Sequence, residues 1–100
     1  MRLTDRKALS YSGIYKITNK LNQHSYIGQA KNINSRIYQH LASVENPVKS
    51  DYSYPLHQAI RKYGCDNFEL DVLEKCDEEL LDDREIHYIS KYHTCKLDPA

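Results

Sequence analysis

The sequence predicts an α+β domain, a small three-stranded antiparallel β-sheet flanked by three or more helices. Three observations point there. Two runs rich in aromatic and β-branched residues, YSGIYKI and SYIGQA, lie on either side of an Asn-rich turn. Apolar residues then recur at spacings of three and four, the stripe of a helix packed on one face. A third strand-like run, FELDVL, stands between two such helical segments, and a sheet covered by helices is the economical packing of that order.

Residues 1–10 read as a polar leader without periodicity. Tyr11 to Ile17 and Ser25 to Ala30 have the composition of strands, and TNKLNQ between them is a turn, so residues 11–30 form a hairpin. With the turn centred on Lys20 and Leu21, Tyr15 faces Tyr26 directly across the pair. Asn32 or Asn34 caps the first helix, whose inner stripe is Ile33, Ile37, Leu41 and Val44. Arg36 and His40, four apart, fall on a neighbouring stripe nearer the solvent.

The segment ENPVKSDYS is a loop. Pro55 opens a second helix carrying Leu56, Ala59, Ile60 and Tyr63, which stops at Gly64. Phe68, Leu70, Val72 and, one step out of phase, Leu73 mark the third strand. Asp77 caps the last helix, with Glu78 and Glu79 against its N-terminal dipole. That helix places Leu81, Ile89 and Tyr92 on or near the inner face. Glu85 lies between Leu81 and Ile89 at helical spacing, and a carboxylate in line with an apolar stripe is unusual.

One hundred residues make one domain, which buries roughly two-thirds of the surface its unfolded chain exposes. No run approaches the ~18 apolar residues of a membrane span, and the polar N-terminus lacks the apolar region of a signal peptide. A cytoplasmic protein of bacterial or phage type, without a membrane partner, is the expectation. Three irregularly spaced Cys (Cys65, Cys76, Cys95) suit reduced thiols and offer no CxxC pair for a structural zinc. Nine of the ten aromatics are Tyr, suited to a core boundary with hydroxyls turned to water or a partner.

Fourteen basic and fourteen acidic residues cancel to zero, which by itself argues against a general nucleic-acid binder. The two halves differ, however. Residues 1–64 hold ten basic and three acidic side chains, giving +7, and residues 65–100 hold four and eleven, giving −7. A basic half can follow a phosphate backbone, and an acidic half can hold a divalent cation or form a solvated helix face.

Gly13-Ile14-Tyr15 stands in the first strand and Tyr26-Ile27-Gly28 in the second, ten residues apart between the tyrosines. Arg36-x3-His40 follows on the first helix and Arg84-Glu85-x3-Ile89 on the last. From about Ser12 to Tyr92 this resembles the GIY-YIG nuclease family, which includes homing endonucleases, some restriction enzymes and the excision-repair incision nuclease. Each tripeptide alone is weak. Both in order, with the Arg, His and Glu on the expected elements, are specific. Taken singly, the tyrosines would be a packing pair, Arg36 a solvated helix residue, His40 its neighbour and Glu85 part of a charged face.

The resemblance implies a metal-dependent endonuclease that hydrolyses DNA phosphodiester bonds by in-line water attack, one strand per active site. It makes Arg36 the catalytic arginine and Glu85 the single carboxylate for Mg²⁺ (or Mn²⁺), sets Tyr15 and Tyr26 beside the scissile phosphate, and adds His40. The chemistry agrees: a guanidinium fork matches phosphate oxygens, and Mg²⁺ needs few protein ligands. For the general base, intrinsic acidity favours His40. The resemblance favours Tyr15, and we take Tyr15, with His40 orienting the water or the tyrosine.

Lys16, Lys20, Lys31, Lys49 and the Gly28 backbone are candidate phosphate contacts, lending affinity rather than sequence choice. His24, His57, His87 and His93 carry no comparable signal and read as structural or exposed. Gln29 stands where some relatives carry Lys. The chain stops at Leu97-Asp98-Pro99-Ala100, where the Gly-Tyr-Asn segment that ends many members is expected. The organisation expected is thus a leader (1–10), the nuclease-like domain (11–97) and a tail (98–100) cut from a longer protein. A further C-terminal DNA-targeting domain or a homodimer would then choose the target. The alternatives are a catalytically degenerate binding or structural module and a nuclease acting on RNA.

Overall fold

A computed structural model describes residues 2–4, 8–49, 52–92 and 95–96 of the chain. Their order is β1 (Gly13–Asn19), β2 (Ser25–Ala30), α1 (Ile33–Glu45), α2 (Pro55–Tyr63), β3 (Phe68–Lys75), α3 (Leu81–Tyr92) and β4 (Cys95–Lys96), with short 3₁₀ turns at Cys65–Asn67 and Glu78–Leu80. β1 is central and antiparallel to both β2 and β3. This is the three-stranded antiparallel sheet and three helices read from the sequence. The two-residue β4 adds a short parallel pairing to the outer side of β2. No helix among the described residues is long and apolar enough to cross a membrane.

Alternation along the strands divides the core into two layers. Tyr15 and Ile17 face α1 and α2 and pack with Ile33, Ile37, Leu56, Ile60, Phe68 and Leu70. Ile14 and Ile27 face α3 and pack with Leu81, Leu73 and Ile89. The out-of-phase Leu73 has a physical cause. The β1–β3 register shifts between Ile14 and Tyr15, so that Ile14 pairs with Glu74 and Tyr15 with Val72. Leu73 is the extra residue of a β-bulge and turns to the α3 side.

Three expectations are corrected. The hairpin loop runs from Lys20 to His24, longer than a two-residue turn, because the Asn19 side chain accepts from Leu21 N (2.9 Å) and Gln23 adopts φ 64°. Tyr15 therefore pairs with Gly28, and Tyr26 with Ile17. The tyrosines share a face but sit diagonally. The leader is not merely polar, since Leu3 and Leu9 are 2% and 5% exposed within the main core. Asp77 stands ahead of a 3₁₀ turn and makes no side-chain cap. Residues 98–100, where a tail was expected, lie outside the described residues, as do Leu97 and His93.

Gly13 has a demand that only glycine meets. A Cβ there would collide with the Glu74 carbonyl and crowd Lys75 Cα at 3.2 Å, both backbone atoms of β3 beside the bulge. Gly13→Ala is expected to destabilise the fold by about 2 kcal/mol, the typical cost of overpacking. Urea unfolding checks this, with a lower midpoint and an unchanged slope as the predicted result.

Candidate active site

The site grows from α1, α2 and the centre of the sheet. α1 starts cleanly because Asn32 is extended (φ −144°) and its side chain accepts from Ser35 N at 2.9 Å. Its buried face includes His40 together with Ile33 and Ile37, which corrects the solvent-side placement of His40. α2 begins with Pro55 at its first position and ends at Gly64, φ 87°. The loop between these helices is clamped by Arg61, which donates to Val44 O (3.1 Å) and Tyr52 O (2.6 Å) and lies 3.7 Å from the Tyr52 ring centroid. The clamp places Tyr54 stacked on His57, with ring centroids 5.6 Å apart at 14°.

Three buried polar side chains form a line. Tyr15 Oη lies 2.9 Å from His40 Nε2, and His40 Nδ1 lies 2.8 Å from His57 Nε2. Tyr15, His40 and His57 are 1%, 1% and 0% exposed. Arg36, half-buried one turn before His40 on α1, lies close enough for its charge to act on the Tyr15 phenol. One assignment that satisfies the line directs the phenol hydrogen to His40 Nε2. His40 then carries its proton on Nδ1 and donates to His57. These tautomers follow from donor and acceptor logic.

Burial pushes the Tyr15 phenol well above its usual range. The Arg36 charge opposes that rise, and the charge of Glu85 adds to it. Glu85 is thus within electrostatic reach of Tyr15. It is completely buried on α3, as its place in the apolar stripe foretold, and Gln29 Nε2 donates to its Oε1 at 3.4 Å.

The structure therefore brings Tyr15, Arg36, His40 and Glu85 together. Tyr26 is half-buried on the same sheet face as Tyr15 and packs against the main core. Of the candidate phosphate contacts, Lys31 is exposed, whereas Lys16 lies on the α3 side with its ammonium 4.7 Å from the Tyr92 ring centroid. Gly28 is buried opposite Tyr15, which counts against a surface contact to phosphate. His57 is the residue that sequence reasoning missed. Its neighbours Leu56 and Ile60 mark a buried face of α2, and a His adjoining that face was the available signal.

Comparison with known proteins gives the architecture a context. The model of the GIY-YIG catalytic domain matches residues 11–98. The chain belongs to the GIY-YIG family. Over 85 residues it is 33% identical to Intron-associated endonuclease 1 of Enterobacteria phage T4, a match covering 83% of this chain and 34% of that protein. The chain thus spans about a third of the length of this relative. The catalytic domain of homing endonuclease I-TevI superposes with a TM-score of 0.70 at 29% identity, covering 89% of this chain and 98% of that one. The GIY-YIG N-terminal endonuclease domain of UvrC from Thermotoga maritima, bound to its catalytic divalent cation, magnesium, shares the fold. It has a TM-score of 0.56 at 23% identity, covering 92% and 91% of the two chains.

Proposed function

We propose that this GIY-YIG domain is a divalent-cation-dependent endonuclease that hydrolyses DNA phosphodiester bonds, one strand per active site. The observation that carries the reading is the buried line from Tyr15 through His40 to His57, with Arg36 and Glu85 both acting electrostatically on the phenol at its outer end. A packed core has no need of so many polar groups at one point, and burying them costs free energy that bulk packing does not return. The likeness to the catalytic domain of a homing endonuclease favours DNA as the substrate.

Arg36 presents its fork to the phosphoryl oxygens and neutralises the charge that builds there. Tyr15, held as a phenol by burial, takes a proton from the attacking water as it passes its own to His40 Nε2. His40 shares the gained proton with His57 through Nδ1, so positive charge need not rest on one buried ring. The general base is then the linked Tyr15–His40–His57 unit rather than a standing tyrosinate. Tyr26 lines the same face beside the phosphate, and Lys31 follows the backbone.

Glu85 would hold the cation. Among the described residues no three His, Cys, Asp or Glu side chains gather into a metal cluster. One buried carboxylate is a hard oxygen donor suited to Mg²⁺ or Mn²⁺, which keep several waters and take further ligands from the substrate. When bound, such an ion supplies a Lewis acid for the phosphoryl and leaving oxygens. We assign target choice to a further DNA-targeting domain or to a second copy, since one site cuts one strand and this neutral chain offers modest affinity. A place inside the cell, where DNA lies, belongs to the same proposal.

Parallel incubation with duplex DNA and single-stranded RNA, in Mg²⁺ and with Arg36→Ala as control, tests the substrate class. Cleavage of DNA by the unaltered chain alone is the predicted outcome. Preferential cleavage of RNA would move the reading to an RNA nuclease, and no cleavage of either would reduce the domain to a binding or structural module.

A further inference from the structure

Glu85 emerges from a helix on a side chain with three rotatable bonds, and a cation bound through one carboxylate gains no orientation from chelation by a second protein group. Something must preset the plane of that carboxylate. Gln29 follows Gly28 on β2 and crosses to α3, where its Nε2 donates to Glu85 Oε1 at 3.4 Å and to Asp82 Oδ1 at 2.6 Å. Asp82 and Glu85 are three residues apart, adjacent on the helix surface. Carboxylates only accept, so the amide must turn its nitrogen to both of them.

We propose that Gln29 is a positioning residue for Glu85, anchored by Asp82, and that the three side chains act as one unit in binding the divalent cation. This deepens the reading given above and rests on it. The short bond to Asp82 is charge-assisted and the stronger of the two. It fixes the Gln29 amide, which then limits rotation of the Glu85 carboxylate. The amide itself is neutral and brings no charge to Glu85. Asp82 is exposed and acts through Gln29 rather than as a metal ligand.

Binding of Mn²⁺ to the full chain, followed by loss of the free-ion electron paramagnetic resonance signal, tests this without reference to activity. Gln29→Leu is expected to weaken Mn²⁺ binding roughly threefold to tenfold, the worth of one hydrogen bond, with the thermal midpoint preserved. Gln29→Asn, which keeps the amide but shortens its reach, should behave alike. Asp82→Ala should weaken binding in the unaltered chain and add little in the Gln29→Leu background. Unchanged or tighter binding by both Gln29 variants, or a full Asp82→Ala effect in the Gln29→Leu background, overturns this inference alone. Wild-type Mn²⁺ affinity in Glu85→Gln overturns the cation reading, and this one with it.

Discussion

Arg36→Ala is expected to slow single-turnover DNA cleavage about 10³-fold, a loss of ~4 kcal/mol of transition-state stabilisation. Binding of DNA should weaken only a few-fold, because Arg36 is one cation among the ten of residues 1–64. The asymmetry has a physical source. The ground-state phosphodiester carries one negative charge that any basic patch attracts, but the extra charge of the transition state builds at one phosphoryl group. Substitution also removes the Arg36 charge that acts on Tyr15, so part of the effect falls on the base. Arg36→Lys keeps the charge without the planar fork and should recover little of the rate. Equal losses in binding and in cleavage would show that Arg36 merely holds DNA.

Removing His40 is expected to lower the rate about 10²-fold near neutral pH, within the usual range for a general acid–base group, and to change the shape of the pH profile. Burial holds the Tyr15 phenol well above its ordinary range, so Tyr15 does not ionise anywhere near neutrality. A rate that climbs with pH near neutrality is therefore not set by Tyr15 ionising, and imidazole is the group in the line suited to it. The sign follows from the relay: His40 accepts the Tyr15 proton only when the linked imidazoles are neutral, so activity rises with pH and then levels off. The two rings are hydrogen-bonded, and the apparent value belongs to the pair. His40→Ala should flatten this limb, and Tyr15→Phe should cost at least as much rate at every pH. Retention of the limb in His40→Ala would assign it to another group. Thermal unfolding of each variant separates these effects from the ~1–3 kcal/mol penalty of leaving a buried partner unsatisfied.

The legible parts of this molecule were those written in local spacing. Glu85 could be recognised because it falls between Leu81 and Ile89 on one helical face, and the structure buries it there. Pro55 and Gly64 announced the limits of α2 through backbone geometry that belongs to those residues alone. What escaped depends on tertiary contact. His57 joins the site because α2 packs against α1 and aims one imidazole at another 17 positions away, and no pattern within α2 encodes that. His40 was set too near the solvent for a related reason: helical spacing fixes a residue's angular position but not how far the neighbouring elements wrap around it. The tyrosine register slipped because the Asn19 side chain and a left-handed Gln23 lengthen the loop. Leu3 and Leu9 were hidden among charged neighbours in the leader, although two leucines suffice to tether it to the core. The net charge of zero was the least informative number of all, because it averaged a basic half with an acidic one.

The most direct test of the account is nicking of a supercoiled plasmid as the cation is removed and restored. The unaltered chain should convert plasmid to open circles in Mg²⁺, stop on addition of EDTA and resume when Mg²⁺ is supplied in excess. Glu85→Gln, nearly identical in shape, should remain folded and bound to DNA yet cut at least 10³-fold more slowly, the order of effect that loss of electrostatic stabilisation at a reacting phosphate produces. Cleavage that persists in EDTA, or a Glu85→Gln protein that nicks at the unaltered rate, would contradict the account.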